Sequence, residues 1–204
     1  MHSVSSSRPA KRAGAGRNSV RIVGGAWRGR RVYFQDSPGL RPTPDRVRET
    51  LFNWLQLQID GARCLDLFAG SGALGIEALS RGAREVVFVD QEPAVAGGLR
   101  AELERLGGTA RAQVLSLPAA RFLAGPTVAF DVIFLDPPFG QGALPQYVRL
   151  LAAGAWANVG AWVYLEGERA AGVPPLAAGW ELVKSKFTRE VGYHLARVTA
   201  QFAR

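Results

Sequence analysis

The chain has 204 residues, 48% of them hydrophobic and 21% charged, which suits one packed domain with at most a small appendage and excludes a disordered chain. No apolar run approaches the roughly 20 residues of a membrane-spanning helix. Cys64 is the one cysteine and lies in an apolar stretch; with His2 and His194 the two histidines, neither an internal disulfide nor a metal site is expected.

The formal net charge is +8, and all of it falls in residues 1–50, where eleven Lys or Arg stand against three acids. The other 154 residues carry fourteen of each sign. A basic block beside a neutral body points to a polyanion, because each phosphate it neutralises releases counterions. A solubilising tail would explain residues 1–18 but not Arg21 to Arg48, which alternate with structured-looking sequence.

In chain order, residues 1–19 are rich in Ser, Gly, Ala and Arg and free of acids, and predict a disordered basic arm. The arm has no apolar core, so no secretory signal is expected and a cytoplasmic protein is predicted. R-I-V-G-G-A-W-R-G-R-R-V-Y-F follows, two short β-type runs about Gly24-Gly25, and predicts a small hairpin bearing Arg28, Arg30 and Arg31. Thr43 is placed as an N-cap with Pro44 in the first helical position, ahead of Val47, Leu51, Trp54 and Leu55 at helical spacing.

From residue 62 strands and helices alternate. Strands are predicted at Arg63–Phe68, Glu85–Asp90, Ala112–Leu117, Phe130–Asp136 and Ala161–Glu166, with helices near 73–81, 93–106, 118–124 and 142–153. This is an α/β pattern with a parallel sheet covered on both faces. Trp180–Phe187 and Tyr193–Phe202 have no helix between them and predict a closing antiparallel hairpin, giving seven strands.

Two motifs carry chemistry. The first strand runs into L-D-L-F-A-G-S-G-A-L-G, in which Gly70, Gly72 and Gly75 form G-x-G-x-x-G, and Asp90 ends the next strand 20 residues after Gly70. Such glycines let the backbone approach a ligand, and an acid at that distance accepts hydrogen bonds from ribose hydroxyls. The fingerprint alone suits a nicotinamide dinucleotide as well as S-adenosylmethionine. Asp66 favours the second, because an acid ahead of the loop suits a cationic ammonium and repels a pyrophosphate. The other motif is Asp136-Pro137-Pro138-Phe139, ending the fourth strand. An aryl amine is a poor nucleophile and needs acceptors for its protons; Asp136 and the carbonyl of Pro137 can supply them, and Phe139 can stack on an extruded base.

The glycine loop, the acid after the next strand and D-P-P-F together resemble the class I S-adenosylmethionine-dependent amino-methyltransferases. R-I-V-G-G-A-W-R-G-R-R and L-R-P-T-P-D-R-V-R-E-T-L-F-N-W-L are more specific. They resemble the bacterial family that methylates the 2-amino group of one guanine in 16S ribosomal RNA, with similarity from about residue 21 to 200. The resemblance implies a monomeric Rossmann-like methyltransferase, divided as a basic arm (1–19), a hairpin and helix extension (20–59) and a methyltransferase domain (60–204). It implies action on 16S ribosomal RNA within the small subunit or its assembly intermediate. Asp66, Phe68, Gly70 and Gly72 would line the methionine end of S-adenosylmethionine, Asp90 its ribose, and Asp136 to Phe139 the guanine. Arg28, Arg30 and Arg31 of the hairpin and Arg41, Arg46 and Arg48 of the R-P-T block would contact RNA. Where relatives carry Asp or Asn before the fourth helix, this chain has Pro118, leaving Ser116 or backbone groups to meet the adenine. Adenine 6-amino methylation of DNA, and a ribosome-assembly module without turnover, are the alternatives; the basic hairpin argues against a protein side chain as substrate.

Overall fold

The computed structural model describes residues 18–34, 43–140 and 142–200. The predicted arm lies outside these residues except for Asn18 and Ser19, which already belong to the first strand. That strand, β1 (Asn18–Arg21), pairs antiparallel with β2 (Arg31–Phe34). The hairpin turns later than Gly24-Gly25: Ile22 still pairs across with Gly29 and Arg30, and the reversal runs from Gly25 to Arg28.

Helix α1 (Asp45–Trp54) follows, then β3 (Arg63–Asp66), α2 (Ala73–Ser80), β4 (Glu85–Asp90), α3 (Pro93–Leu106), β5 (Ala112–Ser116), α4 (Ala119–Leu123), β6 (Phe130–Leu135) and α5 (Leu144–Ala153). The chain closes through β7 (Ala157–Glu168), β8 (Trp180–Phe187) and β9 (Val191–Val198). The seven-stranded sheet has the order β5-β4-β3-β6-β7-β9-β8, parallel except where β9 meets β7 and β8. Most strand ends fall within two residues of the sequence reading; the larger differences are that β7 begins at Ala157, because it pairs with Phe130 ahead of an irregularity in register, and that β9 ends at Val198.

Strand alternation sorts the core. Even-numbered residues Cys64, Phe88, Val132, Phe134 and Tyr164 pack on one face with the hairpin, α1, α2 and α3. Odd-numbered Leu65, Val87, Ile133, Leu135, Val163 and Leu165 pack on the other with α4 and α5. The N-terminal extension therefore shares the core of the sheet's first face. Its hairpin tip docks on the C-terminal end of α2: Ala26 N–H donates to the Ser80 carbonyl (2.7 Å), Trp27 N–H to Ser80 Oγ (2.9 Å), and Ser80 Oγ–H to the Gly24 carbonyl (2.6 Å). That end of α2 lies by the amino ends of β3 and β4, where Gly61 N–H meets the Gly82 carbonyl and Arg84 N–H that of Ala62.

Candidate functional site

The strand order reverses at β3, where β4 lies on one side and β6 on the other, and ligands of such sheets bind beyond the carboxyl ends there. Three neighbouring strands, β4, β3 and β6, end in or run directly into Asp90, Asp66 and Asp136, and the next, β7, carries Glu166 two residues before its end. All four are even-numbered and lie on the face covered by the extension. Register sets their depth. Asp66 is opposite Phe88 and Phe134, so it is recessed by two residues, about 7 Å, from Asp90 and Asp136. Leu135 pairs with Leu165, so Asp136 and Glu166 stand level.

The loop after β3 explains Asp66. Gly72 is the N-cap of α2 in a left-handed conformation (φ 75°), and the Gly75 N–H turns back to donate to Asp66 Oδ2 at 3.0 Å. A Cβ on Gly75 would meet Phe88 Cε1 at 2.2 Å, so the third glycine lets α2 lie close on β4. Burial pushes the Asp66 carboxyl up to about 7, opposed by the Gly75 hydrogen bond and helped by the charge of Asp90. Asp90 accepts Gly70 N–H at Oδ2 (2.9 Å) and Glu92 N–H at Oδ1 (2.8 Å). Ser116 is its register partner on β5 and is exposed. The ring of Phe68 meets that of Tyr147 edge-on at 4.8 Å. Pro118 is the N-cap of α4.

Beyond β6, Pro137 is buried, while Pro138 and Phe139 are exposed, Phe139 to 40%. The loop is tied to β7 by Gly140 N–H donating to Glu168 Oε1. Thr43 corrects one expectation. Pro44 holds the N-cap position of α1 with no side-chain cap, and the buried Thr43 hydroxyl instead lies 3.3 Å from Asp136 Oδ2 and 3.2 Å from Glu166 Oε2. The Tyr164 hydroxyl donates to the same Glu166 oxygen at 2.6 Å. Burial and the neighbouring Glu166 and Asp66 charges hold the Asp136 carboxyl well above its ordinary range, with Thr43 opposing. Burial raises Glu166 as well, against its two hydroxyl donors. Sequence reading missed Glu166 and Tyr164. The available signal was Y-L-E at the carboxyl end of the fifth strand, with the parity of Asp66 and Asp136.

The basic residues separate into three kinds. Arg48 cannot meet RNA as expected: it is 1% exposed, donates to the Thr43 and Arg21 carbonyls and to Asp45, and faces the fully buried Glu77 at 3.6 Å. Arg28, Arg30, Arg31 and Arg46 are exposed. Arg30 nevertheless caps α3, donating to the Arg105 and Leu106 carbonyls (2.9 and 3.4 Å), and Arg31 donates to Ser19 Oγ. Arg46 stands on the first turn of α1, three residues after Thr43, whereas the hairpin tip is at the sheet's far end. Arg41 lies outside the described residues.

Among the described residues no group of three or more His, Cys, Asp or Glu is placed to hold a metal ion. An apolar cavity of about 170 Å³ lined by Leu151, Ala157, Trp180 and Val198 lies at the amino ends of β6 and β7, away from the carboxylates.

The family model described as "Conserved hypothetical protein 95" matches residues 20–197. Ribosomal RNA small subunit methyltransferase D of Escherichia coli K12 is 45% identical over 188 residues, covering 92% of this chain and 94% of that protein. The chain belongs to this family. Its member of the same name in Haemophilus influenzae is 44% identical over 184 residues, covering 88% and 94%. The solved structure of yhhF from Escherichia coli superposes with a TM-score of 0.83 at 41% identity, over 90% of this chain and all of that one. The family fold is thus a class I methyltransferase sheet with an N-terminal hairpin.

Proposed function

We propose that this protein transfers a methyl group from S-adenosylmethionine to the 2-amino group of a guanine in 16S ribosomal RNA, on the small ribosomal subunit or an intermediate of its assembly. The carrying observation is the placement of Asp136: at the switch-point end of β6, followed by a buried Pro137 and an exposed Phe139, and one strand away from the recessed Asp66. The names of the relatives, which specify the small-subunit RNA, support the substrate class.

The residues fit the cofactor. Asp66 offers a buried carboxylate to the ammonium, the backbone from Phe68 to Gly72 lines the methionine end, and Asp90 and Ser116 lie where ribose and adenine follow. When bound, the cofactor supplies a methyl group on a cationic sulfur. The protein's part is positioning and electrostatics. Asp136 and the Pro137 carbonyl accept the two amine protons, which aims the nitrogen lone pair and stabilises the positive charge developing on it. Phe139 stacks on the extruded base. Arg46 on α1, Arg41 before it, and Arg28, Arg30 and Arg31 at the far end serve the phosphates, so the RNA runs along the extension.

The test is methyl transfer from radiolabelled cofactor to purified small subunits lacking the modification, to free 16S RNA and to DNA, followed by nucleoside analysis. Label in N2-methylguanosine from subunits or RNA is expected. Label in N6-methyladenine of DNA, or none on any substrate, overturns the reading.

A further inference from the structure

Accepting the amine protons requires Asp136, but not a second buried carboxylate beside it, and Glu166 is 3% exposed. Thr43 Oγ1 lies within reach of Asp136 Oδ2 and Glu166 Oε2, yet a hydroxyl has one proton to donate and satisfies one acceptor at a time. The other groups facing the cluster are Asp66 from β3, Tyr164 from β7, Tyr193 from β9, and Arg48 from α1 acting through the Thr43 carbonyl. His194 pairs with Leu165 and so lies on the opposite face. Among the described residues, no Lys, Arg or His forms an ion pair with Asp136 or Glu166.

We propose that Glu166 is a positioning residue that acts through Thr43 on Asp136, the two carboxylates and the hydroxyl between them forming one site that receives the proton released by the substrate amine. The inference rests on methyl transfer at Asp136. As the amine attacks, an N–C bond forms and the C–S bond breaks with its electron pair passing to sulfur. The amine N–H bond then breaks with its pair left on nitrogen, and the proton goes to Asp136 Oδ2. Thr43 can accept that proton while giving its own to Glu166 Oε2. The products are a neutral methylamine, a thioether and one protonated carboxyl.

Two like charges sharing a buried site do not both ionise freely, and their protons belong to the pair. Glu166 accepts two hydroxyls and Asp136 shares one, so Glu166 keeps its charge the more readily and a proton arriving at the pair is held toward Asp136, in line with the upward direction at both. The charge of Glu166 thereby makes Asp136 a stronger base.

The two partners act on Asp136 with opposite sign. Glu166→Gln removes a like charge and moves the acid limb of the kcat profile to lower pH, with the plateau falling roughly tenfold. Thr43→Val removes a donor to the charged form and moves that limb to higher pH. Glu166→Asp keeps the charge and holds the limb near wild type. Carboxyl ¹³C titration of the free protein, without cofactor or RNA, follows the same directions at Asp136. Limbs that stay in place, or that move the same way in both variants, overturn the proposal; if Glu166→Gln does not fold, the direction in Thr43→Val decides. A wild-type protein that methylates no RNA overturns the functional reading instead.

Discussion

The buried Glu77 is where the extension is fastened to the sheet, and removing its charge gives the largest effect on stability expected from one atom. Glu77 is fully buried. Its Oε2 accepts Val23 N–H from the hairpin at 2.8 Å and lies 3.6 Å from Arg48 Nη1 of α1, while Oε1 accepts Arg81 Nε–H at 2.7 Å. In Glu77→Gln, Arg48 keeps the half-exposed Asp45 but loses its buried counter-charge, and one amide replaces three charge-assisted contacts. Breaking a buried pair from one side costs about 3–5 kcal/mol, against a total stability of about 5–15 kcal/mol for a domain. Arg48→Met takes one cation from Glu77 but leaves it Arg81 and the Val23 N–H, and so costs less. The double variant costs less than the two singles added, because each single leaves a charge that the other removes. The assay is urea unfolding followed by fluorescence of the five tryptophans, with the midpoint falling and the slope unchanged. A Glu77→Gln cost below about 1 kcal/mol, the range of exposed pairs, would refute the reasoning. Arg48→Met also checks the reassignment of this arginine: RNA affinity keeps its wild-type salt dependence, and a log–log slope flatter by about 1 would restore Arg48 as a phosphate contact.

Asp136→Ala slows methyl transfer on the order of 10²–10³-fold while cofactor affinity is unchanged, measured by single-turnover transfer and calorimetry; retention of a third of the wild-type rate would remove Asp136 from the chemistry. Asp66 titrates near 7 in the free protein, and the cofactor's ammonium favours its charged form, so binding below that pH releases a proton. Affinity then falls as pH drops from 7 toward 5.5, tenfold per unit at the limit, and calorimetry in buffers of differing ionisation enthalpy detects the proton; a flat profile would contradict the ammonium contact. Replacing Arg28, Arg30 and Arg31 together with Gln flattens the salt dependence of RNA binding by a log–log slope of roughly 2–3. A wild-type slope would show that hairpin charge to be occupied by the protein, as the Arg30 cap on α3 partly is.

The sequence by itself determined the alternation of strands and helices, the closing hairpin, the glycine loop and the acids Asp66, Asp90 and Asp136. Each is written locally: a period of 2 or 3.6, a glycine where backbone must turn or approach, an acid at a strand's end. The tertiary structure alone decided the rest. Thr43 reads as a cap because Thr before Pro at a helix start usually is one, and only packing the extension against β6 and β7 gave its hydroxyl two carboxylates instead. Arg48 reads like its charged neighbours, and only the fold set Glu77, 29 positions away, against it in a buried space. Glu166 was visible as a letter, but its meaning came from the register that sets β7 level with β6. Sequence spacing records what a residue does to its own segment; a buried charge is decided by which distant group shares its low-dielectric surroundings, and that distance exists only after folding.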